Sequence, residues 1–281
     1  MHSIVAAVVL AVVEIVGSVS TYTVRPGDSL TRVGARFGIS VGALAESNGL
    51  DESALLQIGQ VLTIDNRHLV PAVDGANLVV NVPQRMLFWF TPAGTTRGFP
   101  VAGGKQDWRT PIGEFTVASK EVDPTWDVPV SIQEEMRREG KPVLTHVPPS
   151  RENPLGKFWI GLSIPGVGIH GTNAPASIYG LVTHGCIRLY PDDIAELFPR
   201  VEIGMRGKVI YEPVLTAYIK GIVYLEVHPD AYAKVGDLFG AAMEAAKSGG
   251  YADMIDSELA REVVRKHDGV PRDVTRRRNL E

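Results

Sequence analysis

The chain has 281 residues, enough for about two domains with cores of their own. With 28 Lys and Arg against 32 Asp and Glu, its net charge of −4 excludes nucleic acid as a partner, because phosphate binding needs a concentrated basic face. The 29 glycines and 19 prolines favour strands and turns, and the single cysteine excludes an intrachain disulfide.

Residues 4–13 are apolar throughout and run into Gly17-Ser18-Val19-Ser20, small residues of the kind a signal peptidase cuts after. The apolar stretch has the length of a secretory leader core and is too short to span a bilayer. It lacks a preceding Lys or Arg and Glu14 follows it, so a buried strand of the first domain is the competing reading. We expect residues 1–20 to be a signal peptide ending at Ser20, and the protein to be exported to the periplasm or cell envelope. An unpaired thiol in an oxidising compartment is a hazard, so its presence there needs a chemical reason.

Residues 21–65 read as strand, helix, helix, strand. Tyr22-Thr23-Val24 is extended and Arg25-Pro26-Gly27-Asp28 is a turn. Leu30, Val33 and Phe37 follow at helical spacing behind an Asp28 or Ser29 cap. Gly38 ends that helix and Ser40 caps a second, which stops near Asn48-Gly49. The segment Gln60 to Ile64 returns as a strand. Tyr22 to Leu30, Ala35 to Ser40, Asn48-Gly49-Leu50 and Ile58 to Ile64 together resemble a lysin motif (LysM) module. That resemblance implies binding of N-acetylglucosamine-containing glycan strands such as peptidoglycan, through the loops holding Gly27, Asp28, Ser29 and Asn48. The same residues would be chosen for caps and turns alone, so both roles stay open for them.

Residues 66–75 are polar and contain proline, and we take them as a linker. From Ala76 short strands alternate with turns at residues 78–82, 86–90, 98–101, 113–118, 158–164 and 208–211. Helices interrupt at residues 132–139 and 191–198, the second opening on Pro191. This is a mainly β domain over residues 76–213. Beyond it, residues 214–281 read as an extended stretch followed by helices over 230–246 and 256–266, with residues from Gly269 on loose. The Arg276-Arg277-Arg278 run reads as a solvated end. The fold class is α+β: a small βααβ module, a mainly β domain with a helical insertion, and an α-helical tail.

The lone Cys186 stands in Thr183-His184-Gly185-Cys186-Ile187-Arg188, sixteen residues after His170. A thiol attacks an acyl carbon as thiolate, so it needs a base or a cation nearby. His170 and His184 are the candidate bases. Gly171 can bring a carbonyl close enough to orient His170, Gly185 and Cys186 can offer amides to an oxyanion, and Arg188 supplies fixed charge. Competing readings are a buried structural thiol and a zinc site. The His184-Gly185-Cys186 spacing and the absence of a second cysteine argue against zinc, so we expect no metal.

His170-Gly171-Thr172, Ser177-Ile178, Gly180 and Thr183 to Leu189 resemble the signature of bacterial L,D-transpeptidases. Arg109 to Phe115 is similar to that family's substrate-side turn and strand. Pro124-Thr125-Trp126, Pro129, Ile132 and Asn153 to Gly156 are similar to its helical cap insertion. The resemblance implies Cys186 as nucleophile and His170 as base, with Gly171 orienting it. It further implies Gly185 and Cys186 amides as oxyanion hole, His184 and Arg188 supporting the pocket, and Thr183, Tyr179 and Trp126 meeting substrate. The implied substrate is a peptidoglycan stem tetrapeptide, cut between the L-centre of its diamino acid and the terminal D-alanine. The acyl group passes to an amine, as a cross-link or onto an envelope protein, with no cofactor. Hydrolysis of the same bond, and wall binding without catalysis, are the alternatives.

Overall fold

A computed structural model describes residues 12–71 and 73–277. Clustering of the backbone divides the chain into two units, Phe99–Val209 and the segments before and after it.

The flanking unit starts with β1 (Val12–Val16) and β2 (Val19–Thr23). Residues 1–11 of the expected leader lie outside the described residues. Of residues 12–20, Val12–Val16 form β1 and Val19 and Ser20 open β2, so a cut after Ser20 would remove β1 and split β2. Helices α1 (Leu30–Phe37) and α2 (Val41–Ser47) precede β3 (Val61–Asp65), which pairs antiparallel with β2. The Ser29 and Ser40 hydroxyls accept from the Arg32 and Ala43 amides, capping the two helices as expected. Val33, Leu44, Leu62 and Ile64 close the module's core.

The expected linker is instead largely structured: β4 (His68–Pro71) is buried at every position and pairs with β1, Ile15 opposite Leu69 and Val16 opposite His68. The reason is a polar network that two short segments of sequence do not announce. Glu226 accepts from the Leu69 amide (2.6 Å), His68 Nδ1 (3.0 Å), Gln84 Nε2 (3.0 Å) and His228 Nε2 (2.7 Å), all from buried residues. His68 Nε2 lies 2.9 Å from the Gly38 carbonyl, so both of its ring nitrogens face oxygen partners. Among the described residues, His68, Glu226 and His228 are also the one grouping of metal-type ligands; both histidines bond Glu226, and His228 Nδ1 is buried without a hydrogen-bond partner. The hairpin β5 (Leu78–Asn81) and β6 (Met86–Phe90) follows.

In the central unit β7 (Thr96–Gly104), β8 (Gly113–Val122), β11 (Phe158–Leu162), β12 (Gly168–His170), β13 (Leu181–Thr183), β14 (Ile187–Leu189) and β15 (Arg206–Ile210) form one mixed sheet. Their order across it is β13-β7-β14-β12-β11-β8-β15. Between β8 and β11 an arm leaves the sheet. Its stem is β9 (Trp126–Asp127) paired with β10 (His146–Val147), and it carries α3 (Val130–Arg138). Asn153 Nδ2 ties the stem by bonds to the carbonyls of Pro124, Val147 and Pro148. Helix α4 (Pro191–Leu197) begins on proline at its first position, as read from the sequence.

The extension returns to the flanking unit. What the sequence presents as one extended stretch is a hairpin, β16 (Val214–Ile219) and β17 (Ile222–Val227), turning at Lys220 and Gly221. Both turn residues have positive φ, 50° and 87°, as a two-residue hairpin turn requires. Helix α5 (Leu238–Ser248) starts eight residues later than its periodicity suggested, on an Asp237 cap, and α6 (Ser257–Lys266) is capped by Asp256. Residues 270–275 are packed rather than loose: β18 (Arg272–Asp273) pairs with β17 and Val274 is buried. The extension also grips the lysin-type module, through Val270 on its core, the Ser40 hydroxyl on the Asp268 carbonyl, and Lys266 on Glu46. No helix among the described residues is long and apolar enough to cross a membrane.

Candidate active site

Parallel pairing of β12 with β14 sets Ile169 opposite Ile187 and His170 opposite Arg188. Cys186, the residue before β14, therefore lies on the strand next to His170. His170, Cys186, Arg188 and His184 line one pocket of about 420 Å3, with Trp126, Pro129 and Ile132 of the arm on its wall.

His170 is buried, and its Nδ1–H donates to the Gly171 carbonyl at 2.6 Å. That bond fixes the tautomer and leaves the Nε2 lone pair available. Burial, then the Arg188 charge, drives the imidazole pKa down to about 3 against the pull of the Gly171 and Leu155 carbonyls. His170 is thus a neutral acceptor at pH 7. The Trp159 indole stacks on it at 5.7 Å between ring centres.

Cys186 Sγ contacts the Gly166 carbonyl at 3.6 Å. Burial raises the thiol's pKa, opposed by a Gly168 backbone bond and by Arg188. The thiol is therefore protonated at rest, and its proton must leave during attack. Arg188 reaches Ser177 Oγ at 3.4 Å, while its buried Nε has no hydrogen-bond partner among the described residues. An unpartnered cationic donor in a pocket wall is suited to a carboxylate.

Gly185 has φ of 109°, a backbone conformation that L side chains rarely adopt. Its N–H donates to Thr183 Oγ1 at 3.2 Å, and that hydroxyl donates to the Cys186 carbonyl at 2.6 Å. His184 Nε2 lies 2.5 Å from Glu135 Oε2, and its ring meets Trp108 edge-on at 5.0 Å.

Residues 76–214 match the family described as the L,D-transpeptidase catalytic domain (YkuD), and residues 22–65 match the LysM domain. A probable L,D-transpeptidase of Escherichia coli K12, YcfS, is 30% identical over 263 residues, spanning 89% of this chain and 81% of its own. A second from the same strain, ErfK/SrfK, is 33% identical over 220 residues, 76% of this chain and 71% of its own. A putative L,D-transpeptidase of Bacillus subtilis 168, YkuD, is 29% identical over 194 residues, 66% and 96% of the two chains. The chain belongs to the L,D-transpeptidase family.

Of the residues expected in this transpeptidase site, the structure brings Cys186, His170, His184, Arg188 and Trp126 to one pocket and sets the Gly171 carbonyl on the base. Gly185's amide donates to Thr183 Oγ1 at 3.2 Å, inside the turn. Thr183 is buried and also lines the pocket, with its hydroxyl bonded within the turn to the Cys186 carbonyl. Tyr179 is buried and its amide bonds the Val101 carbonyl, away from the pocket lining. The Gly171 carbonyl lies 2.6 Å from His170 Nδ1, and Gly156 packs against the next peptide, where an added Cβ would lie 2.9 Å from the Thr172 amide nitrogen.

In the LysM module the expected glycan residues have partners of their own. Asp28 accepts from the Tyr22 hydroxyl (2.7 Å) and the Arg25 amide, the Gly27 carbonyl accepts from Arg32, and Ser29 caps α1. Asn48 bonds Leu44 and both backbone groups of Thr63, clamping α2 to β3. Glu135, Lys105, Trp108 and Trp159 escaped the sequence reading.

Proposed function

We propose that the protein is a cysteine-dependent peptidoglycan L,D-transpeptidase, with the LysM module holding it to glycan strands. The stem tetrapeptide enters the pocket with its terminal carboxylate towards Arg188. Cys186 Sγ attacks the carbonyl joining the diamino acid's L-centre to D-alanine, and its proton passes to His170 Nε2. The Cys186 amide stabilises the oxyanion, an effect of roughly 3–4 kcal/mol for one donor. The tetrahedral intermediate collapses, His170 returns the proton to the leaving nitrogen, and D-alanine departs, leaving a thioester. An amine then attacks that thioester, and His170 takes the amine's proton as Sγ leaves. The amine belongs to a second stem peptide or to an envelope protein. The site of such a substrate is the periplasm or cell envelope, and export belongs to the same proposal.

The observation that carries this reading is a neutral His170, its Nδ1 engaged by Gly171, sharing one pocket with the chain's single thiol and an unpartnered Arg188 donor. The test is mass analysis of a defined tetrapeptide incubated with protein, with and without an amine acceptor. The expected result is loss of D-alanine, a thioester on Cys186 and an acceptor-linked product, all absent in Cys186→Ala. D-alanine release without acceptor product would assign a hydrolase instead, and release by Cys186→Ala would reject the nucleophile.

A further inference from the structure

Helix α3 buries none of its residues, yet it walls the pocket through Pro129 just ahead of it and Ile132 within it. A helix without a buried face needs some other hold. Among the described residues, the arm from β9 to β10 makes two polar side-chain bonds to the rest of its unit beyond its own stem, and one carboxylate makes both. Glu135 Oε1 accepts from Lys105 Nζ at 2.9 Å, and Oε2 meets His184 Nε2 at 2.5 Å. Lys105 follows β7 directly, and His184 stands two residues before the nucleophile. The Lys105 and His184 hydrogen bonds hold the Glu135 carboxyl at about 2, so it is ionised and can only accept. His184 Nε2 must therefore carry the hydrogen, and the ring is pinned between that carboxylate and Trp108.

We propose that Glu135 is the positioning residue of the Cys186 pocket: one carboxylate closes the arm over the substrate and fixes His184, and with it the 183–186 turn that presents the thiol. This rests on the acyl-transfer reading of the pocket. Substrate entry breaks the two bonds or finds them already open, and their re-formation shuts Pro129 and Ile132 against the peptide. Glu135 touches neither the reacting carbonyl nor Sγ, and acts through His184 and the arm.

The test compares wild type with Glu135→Gln, Glu135→Asp and Lys105→Met, using two readouts. The first is tryptic cleavage after Arg137 and Arg138, which reports arm opening and needs no substrate. The second is kcat and KM for D-alanine release from the tetrapeptide. In Glu135→Gln, cleavage is expected to accelerate and KM to rise about tenfold, the scale of one lost bond to a charged group. The thermal midpoint should hold within a few degrees, since no core residue changes. Glu135→Asp, which keeps the charge, should recover part of both effects. Lys105→Met should raise cleavage less, and should add little when combined with Glu135→Gln. Wild-type cleavage together with wild-type KM in Glu135→Gln overturns the proposal. So does a change in one readout without the other, which would uncouple arm from site. If wild type releases no D-alanine, the transpeptidase reading fails, while the cleavage arm still decides whether the latch exists.

Discussion

At Cys186 the surroundings work against a resting thiolate: burial raises the thiol's pKa, and Arg188 offsets this only in part. A base must therefore act in step with attack, and His170, held at about 3, is unprotonated over the whole neutral range. The pH dependence follows. A base with a depressed pKa loses activity only as pH falls towards about 3, so kcat/KM should be flat between about pH 5 and 8. A limb centred near the ordinary histidine value would contradict the assignment. Alkylation of Cys186 by iodoacetamide should keep accelerating above pH 9, because the shift is upward from 9.0. His170→Gln keeps a polar side chain but cannot take the proton, and should lower D-alanine release by about 100-fold or more. Its alkylation rate at pH 10 should stay near that of wild type, which separates lost base catalysis from a lost thiol.

Elements were legible where their signals are local. Ser29, Ser40 and Pro191 mark three helix starts because a cap is a contact between a residue and its own next turn. The 183–188 cluster was legible because strand pairing carries its spacing straight into space. Missed were features whose partners lie far along the chain. Residues 68–71 look like a linker until Glu226 is found beneath them, and Glu135 looks like a solvated helix residue until the fold brings His184 to it. Asn48 tests the boundary between the two kinds of signal. Its three bonds to Leu44 and Thr63 make it a clamp of the LysM module, so Asn48→Ala should cost about 1–3 kcal/mol of that module's stability. Binding to isolated wall sacculi should weaken in proportion to the melted fraction. Lost sacculus binding at an unchanged melting midpoint would return Asn48 to the sugar-contact role.

On the scale of the whole chain, the flanking unit is assembled from distant stretches around Glu226 of β17, which is buried and accepts from groups on β4, in the turn before β6 and just after β17. Hydration lost on burial raises this carboxyl, but the His68 charge and the two histidine bonds win and hold it at about 2. Burial likewise keeps His228 below the ordinary histidine value. Both shifts are depressions, so the unfolded chain binds more protons than the folded one between the two values of each group. Stability rises with pH across those intervals. Acidification should destabilise the protein first below about pH 6.5, as His228 and His170 resist protonation that the unfolded chain accepts. It should do so further below about pH 4.5, as Glu226 does the same. Urea midpoints measured between about pH 2.5 and 8 should fall on the acid side, and Glu226→Gln should shrink the lower step while costing about 3–5 kcal/mol at pH 7. His68→Leu should cost less, because Gln84, His228 and the Leu69 amide still satisfy the carboxylate it leaves behind. Equal losses for the two variants would mean that the His68–Glu226 ion pair, rather than the carboxylate's full set of donors, holds the unit together.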